Sequence, residues 1–490
     1  MKAVAYLAMI LVAFGTFFVV RHFGESLVAP APVEGHSRQD AAGPEPAANS
    51  AAKSSAPSSP HQLAHVLLAL AVVILAGRLL GIAFRRIGQP PVIGEIVAGI
   101  LLGPSLLGRV SPAALDFVFP TTIHGTLGIV SNLGLVLYMF TVGLELDSSH
   151  VRDRAHATVA ISHTGIVFPF ILGLILALFL YPVVSTDDVP FTGFALFMGA
   201  AMSITAFPVL ARILTDRNLH RTSLGVVALT CAAADDVTAW CLLAVVVGVA
   251  RARMSDAVTM LSLTAVYLGL MFFVARPLVM RYAKRWLNTE PSQNTVALLF
   301  VGLLLSAVTT EAIGIHAVFG AFLVGAMIPS GSPLAKRLVA ILQDTVAVLL
   351  LPAFFAFTGL RTQIGLVSGV QAWLICAGII AVATLGKFGG TTIAARVSGL
   401  SWRESSALGV LMNTRGLMEL IVLNIGLDLK IISPKLFAMM VMMAIVTTVA
   451  TAPILRRLWP EEIEGGMGRG GDGGMKQESG LATPVATPVV

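Results

Sequence analysis

Between residues 62 and 455 the sequence runs apolar for about twenty residues at a time, again and again, with polar breaks between the runs. A helix needs that length to cross the hydrocarbon of a bilayer, where each backbone N–H and C=O must find its partner within the protein. Thirteen runs fit the pattern, at 62–84, 90–107, 124–145, 156–181, 191–214, 222–250, 256–276, 294–311, 314–330, 338–360, 369–393, 405–426 and 434–455. Composition agrees, since 56% of the 490 residues are hydrophobic and 12% charged, too little polar surface to clothe a water-soluble globule. The predicted fold class is an all-α polytopic membrane protein.

Three segments flank the runs. Residues 1–23 hold a further apolar stretch, Ala3 to Val20 behind Lys2, which is long for a signal core and lacks a clean small-residue cleavage site. They read as an N-terminal anchor helix, with a cleaved signal as the alternative. Residues 24–61, containing PAPVEG and AAKSSAPSSP, bury too little apolar surface to fold alone and read as a disordered linker. Residues 457–490 are Gly-rich and read as a disordered tail, too short for a soluble regulatory domain.

Strict alternation of the runs gathers Arg85, Arg86, Arg152, Arg154, Arg212, Arg217, Arg221, Arg276, Arg281, Lys284, Arg285, Lys336, Arg337, Arg396, Arg403, Arg456 and Arg457 on one side. The other side receives Arg109, Arg251, Arg253, Arg361, Lys430 and Lys435. The richer side, and with it the C-terminus, is expected in the cytoplasm, and Trp286, Trp402 and Trp459 lie near those same loops. The net charge of +6 is thereby explained without a nucleic-acid partner. Cys231, Cys241 and Cys376 sit inside apolar runs with no CxxC pair and no zinc-like His spacing, so they read as packing residues.

An ionisable group at the centre of a bilayer helix costs about 2.5–3.5 kcal/mol on insertion scales, so each one asks for a reason. The short list holds Asp235 and Asp236 in TCAAADDVTAW, Lys387 in LGKFGG, and Arg415 with Glu419 in NTRGLME. Glu95, Glu311 and Asp344 lie nearer the ends of their runs. Adjacent carboxylates on a helix point about 100° apart, so one can face an ion path while its neighbour faces a partner. Two charged carboxylates side by side and away from water repel, which favours uptake of a proton or a cation. A group that holds one or the other, but not both, couples the two ions by competition. Lys387 is the evident counter-charge for one aspartate; a static pair that merely fixes helix register would account for one Asp and leave the second unexplained.

Two runs look broken, and irregular backbone at membrane depth survives only inside protein or along a water-filled cavity. One is SITAFP, with Ser203, Thr205, Phe207 and Pro208; Pro208 disfavours helix at Phe207. The other holds Asn413, Thr414 and Gly416. They lie seven runs apart and cross in opposite directions, the pattern of an inverted-repeat transporter with a midplane site. Freed carbonyls there could offer oxygen ligands to a dehydrated cation, and the Thr205 hydroxyl could add another.

At these residues the chain resembles the monovalent cation:proton antiporter-2 family, in the branch that includes plant cation/proton exchangers. The match spans about residues 62–456 and rests on PVIGEIVAGILLGP (91–104), GLELD (143–147), TAFPVLARIL (205–214), Asp235–Asp236, GIHAVFGAFL (314–323) and NTRGLMELIVLNIG (413–426). The resemblance implies thirteen core helices as two inverted six-helix repeats plus a linking helix, with crossed broken helices, a dimerisation domain and a core that moves as an elevator. It implies exchange of Na+ or K+ for H+ across a bacterial inner membrane by a homodimer, without a cofactor; the sequence departs from family members that append a nucleotide-binding domain or a long soluble tail, so regulation by NAD-like ligands is not expected. Asp236 would bind the ion, Asp235 would pair with Lys387, and Thr205 would complete the site. Many relatives carry Asn where this chain has Asp235, and the two-carboxylate form is associated with electrogenic exchange.

Two other function classes remain in view. A gated cation channel or uniporter would use the same polar lining without coupled proton movement. An intramembrane aspartyl protease also places two Asp in the bilayer, but it needs them on different helices and a GxGD signature that is absent here.

Overall fold

A computed structural model describes residues 2–30, 60–145, 155–186, 189–217, 219, 222–251, 254–286, 292–329 and 331–459, and all regular structure among them is helical. The helices are α1 (Lys2–Gly24), α2 (Pro60–Arg86), α3 (Pro91–Leu102), α4 (Leu107–Val110), α5 (Pro112–Val118), α6 (Thr121–Glu145) and α7 (Ala155–Val184). Then come α8 (Phe191–Ser203), α9 (Phe207–Asp216), α10 (Ser223–Arg251), α11 (Met254–Leu270), α12 (Arg276–Trp286), α13 (Gln293–Ile313) and α14 (Ala317–Met327). The chain ends with α15 (Pro333–Thr345), α16 (Leu351–Arg361), α17 (Gly369–Thr384), α18 (Gly390–Val397), α19 (Trp402–Met412), α20 (Leu417–Asp428) and α21 (Pro434–Leu458). Single π turns at Met271–Ala275, Val346–Leu350 and Leu385–Gly389 join α11 to α12, α15 to α16 and α17 to α18 without breaking them. Most of the expected linker, and nearly all of the expected tail, lie outside the described residues.

Local chemistry sets the starts. Pro occupies the first turn of α3, α5, α9, α15 and α21, where its missing N–H has no intrahelical partner to lose. Ser292, Ser332 and Ser433 cap α13, α15 and α21, and Ser401 with Glu404 closes a capping box on α19. Glu311, expected near the end of its run, is exposed and accepts from the Ala317 N–H at 2.8 Å, so it serves the N-terminus of α14.

Among the described residues nine helices are long and apolar enough to cross a membrane, ten if the bent pair α19 and α20 counts as one span. The other three expected runs are the broken pair α8 and α9, the aspartate-bearing α10, and α14, whose eleven residues extend only about 16 Å.

Two interfaces bring backbones into direct contact through glycine. A methyl placed on Gly99 of α3 would stand 2.2 Å from the Phe355 carbonyl oxygen of α16, and one on Gly359 would stand 2.0 Å from that of Gly99. On the other pair, a methyl on Gly143 of α6 would lie 2.3 Å from the Phe322 carbonyl of α14, and one on Gly325 would lie 2.3 Å from that of Phe140. Small residues let helices approach this closely where no hydrophobic force drives them together. Gly143→Ala is therefore expected to destabilise the protein by about 1–3 kcal/mol, because backbone rather than a flexible side chain must move. Gly125→Ala, with no atom within 4 Å, should be neutral or slightly stabilising in the same detergent-unfolding measurement.

Candidate ion-binding site

Both breaks exist. Helix α8 stops at Ser203, residues Ile204 to Ala206 leave the helical conformation, and α9 restarts at Phe207 with Pro208 in its first turn. The irregular backbone thus precedes the proline rather than surrounding it. Ser203 is spent on the last turn of α8, its hydroxyl 2.8 Å from the Gly199 carbonyl and 3.0 Å from that of Ile166. In the second break, Asn413 to Gly416 separate α19 from α20, which are bent by 44°.

The two unwound segments touch. The Ala206 N–H donates to the Thr414 carbonyl at 2.9 Å, and the Thr205 hydroxyl lies 3.1 Å from the Met412 carbonyl. Close approach explains the glycine at 416, where an added methyl would come within 2.7 Å of Val209 Cγ2. A buried apolar cluster that includes Ile161, Val209, Leu210, Ala228, Leu408 and Leu411 locks α7, α9, α10 and α19 around this point.

The middle of α10 faces the crossing. Asp235 is fully buried and saturated: Ser162 Oγ of α7 donates to Oδ1 at 2.6 Å, Lys387 Nζ to Oδ2 at 2.8 Å, and Thr205 Oγ1 lies 3.0 Å from Oδ2. Lys387 is itself fully buried, in the π turn between α17 and α18, a device that often marks a functional position. Asp236 is 2% exposed, and neither carboxylate oxygen has a hydrogen-bond partner among the described residues. The Phe207 N–H, at the positive end of α9, lies near that carboxylate without reaching hydrogen-bond geometry. Asn413 Oδ1 and Thr414 Oγ1 in the second break are also buried without partners. A bare buried carboxylate is among the costliest arrangements a protein can hold, so this geometry suits a group that binds an ion or a proton.

Sequence reasoning left Arg415 and Glu419 without a role. In the structure both are fully buried and paired at 2.8 Å, and the Arg415 guanidinium also donates to the carbonyls of Ala201 at 2.8 Å and Met202 at 2.7 Å. A residue in one break thus neutralises the negative end of the half-helix that leads into the other. The four-residue spacing from the break into the first turn of α20 signalled the pair; the reach to α8 left no trace in the sequence. Glu95 lies elsewhere, packed over Gly77 of α2 with Arg78 as its charged neighbour. Asp344 is exposed on α15. An open cavity of about 500 Å³ is lined by Leu144, Glu145, Lys336 and Gln343, among others, at the end of α6. Two turns back on the same face of α6, Tyr138 lies within electrostatic reach of both Glu145 and Asp236.

A family profile described as "Sodium/hydrogen exchanger, transmembrane" matches residues 67–457. The chain belongs to the sodium/hydrogen exchanger family. It is 45% identical over 399 residues to the Na(+)/H(+) antiporter NhaS4 of Synechocystis sp., an alignment that covers 81% of this chain and 97% of that protein. Cation/H(+) antiporter 18 of Arabidopsis thaliana is 40% identical over 397 residues, covering 80% of this chain and 49% of the plant protein. K(+)/H(+) antiporter 1 of Saccharomyces cerevisiae is 32% identical over 412 residues, covering 81% and 46%. The chain therefore spans about half the length of these eukaryotic relatives and nearly all of the cyanobacterial one. The sodium proton antiporter MjNhaP1 from Methanocaldococcus jannaschii superimposes with a TM-score of 0.58 at 15% identity, over 81% of this chain and 98% of that one, which is a likeness of fold. Relatives of the sodium/hydrogen exchanger family place this multi-pass membrane protein among the monovalent cation:proton antiporter-2 transporters, with plant-like kin.

Proposed function

We propose that the chain exchanges Na+ or K+ for H+ across a bacterial inner membrane, with Asp236 holding either the proton or the metal ion. The observation that carries this reading is the contrast between neighbours: Asp235 has every oxygen engaged, while Asp236, one residue on, is equally buried and has none. A monovalent cation at Asp236 would draw further oxygens from Thr205, from the end of α19 at Met412 and from the unwound backbone that follows it. Asp235 and Lys387 act as the fixed counter-pair. The names of the relatives, antiporters of Na+ or K+ against H+, agree with this chemistry. The open cavity at Glu145 lies two helical turns along α6 from Tyr138, which is itself within electrostatic reach of Asp236.

The wider architecture follows the same reading: thirteen core spans in two inverted six-helix repeats, an elevator motion of the helices around the crossing, a homodimer, and a cytoplasmic C-terminus. The reciprocal glycine contacts support the repeats, because the second expected run meets the tenth and the third meets the ninth, the pairing a twofold-related arrangement requires.

The test is transport in proteoliposomes, reading internal pH after a cation gradient is imposed. Na+ or K+ entry matched by H+ exit supports exchange; cation flux with no proton movement would instead make the protein a channel or uniporter. In the same assay Thr205→Val should weaken apparent cation affinity about tenfold, the worth of one buried hydrogen bond to a charged group, and Thr205→Ser should restore it.

A further inference from the structure

The helix α1 precedes the region matched by the family profile, and its burial has a helical period. Met9, Ala13, Thr16, Phe17, Val20 and Gly24 face protein, while Leu11, Phe14, Phe18 and Phe23 between them are about 60% exposed. The stripe lies along α7 and the start of α8: Thr164 donates to Met9 Sδ at 3.5 Å, Val20 is buried in the main core, and Glu25, just past the end of the helix, accepts from Thr192 at 3.4 Å. At Gly24 the chain passes so close to the Phe191 ring that an added methyl would stand 1.9 Å from it. Apolar residues all round make α1 read from sequence as a plain hydrophobic stretch; only its packing separates a protein face from a lipid face.

We propose that α1 is retained in the mature protein as an additional membrane span, strapped to α7 and α8 and moving with them as one body. Its contacts run from Met9 to Gly24, and removing it would uncover Phe191 and the neighbours that bury Val20. α1 runs parallel to α7, since its start lies beside Thr164 and its end beside Phe191, which stacks on Tyr181 near the end of α7. Its N-terminus therefore lies on the side from which α7 begins. α7 supplies Ser162 to Asp235 and α8 leads into the first break, so α1 braces the outer face of the helices that hold the site. The shared movement rests on the antiport reading above; the retention and docking do not.

The experiment uses the full-length protein. Intact mass of the purified wild type is expected to include residues 2–24; a mass starting beyond them overturns the proposal. Gly24→Cys with Phe191→Cys places two thiols where the ring now fills the gap, and mild oxidation is expected to give a disulfide-linked peptide by mass spectrometry. Failure to cross-link in a folded, monodisperse protein overturns the docking. Cation-driven proton flux should stay within about twofold when the bond is closed, because a rigid body loses no freedom from an internal tie. Arrest of transport on oxidation, reversed by reductant, would instead assign α1 to a different moving part. Wild-type protein without any exchange would sink the antiport reading, while mass and cross-link still decide the docking.

Discussion

Asp236→Asn is expected to abolish cation-coupled proton movement in proteoliposomes while the protein remains folded. The substitution keeps the volume of the side chain and removes the carboxylate at the crossing that no donor among the described residues engages. A dehydrated cation deprived of its buried counter-charge loses about 3–5 kcal/mol, or roughly 10²–10⁴-fold in occupancy. The amide also cannot take up and release a proton, so both sides of the exchange fail together. Asp235→Asn should act differently. Its oxygens serve Ser162, Thr205 and Lys387, so its loss leaves a buried ammonium without its partner and is expected to show first in stability. Normal exchange in Asp236→Asn would rule out the assigned role.

The second large effect is expected at Arg415. Arg415→Met leaves the Glu419 carboxylate buried without its partner and frees the carbonyls of Ala201 and Met202. Breaking a buried pair from one side costs about 3–5 kcal/mol, enough to lower the unfolding midpoint clearly in detergent. Glu419→Leu added to Arg415→Met should recover about 1–2 kcal/mol, because the stranded carboxylate disappears while the two carbonyls stay unpaired. A double variant no more stable than Arg415→Met would show that the pair does not contribute as a unit.

The buried charges were legible because a bilayer makes charge conspicuous: Asp235, Asp236, Lys387, Arg415 and Glu419 stand out in apolar runs, and all are buried. The breaks were legible from Pro208 and from Asn413 with Gly416. What could not be read was direction in space. Nothing in the residues themselves says that Lys387 meets Asp235 rather than Asp236, or that Arg415 reaches back to α8, since both contacts join segments more than 150 residues apart. Ser162 escaped for a related reason: a serine in an apolar helix commonly bonds to its own backbone, and only tertiary placement turns its hydroxyl toward an aspartate. The count of spans was blurred where helices are short or interrupted, as at α14 and at α8 with α9, because run length is a guide only to helices that cross unbroken.

The Ala206 to Thr414 hydrogen bond has a mechanical corollary. Sliding one interrupted span past the other would strand a donor and an acceptor out of reach of water, a penalty of about 1–3 kcal/mol for each group. With Arg415 gripping Ala201 and Met202 from the far strand, the resistance to shear at this knot is greater still. On the proposed antiport reading, the softer displacement would carry both spans together as a single piece of cargo, and an ion seated beside them would ride along without its ligands being rearranged.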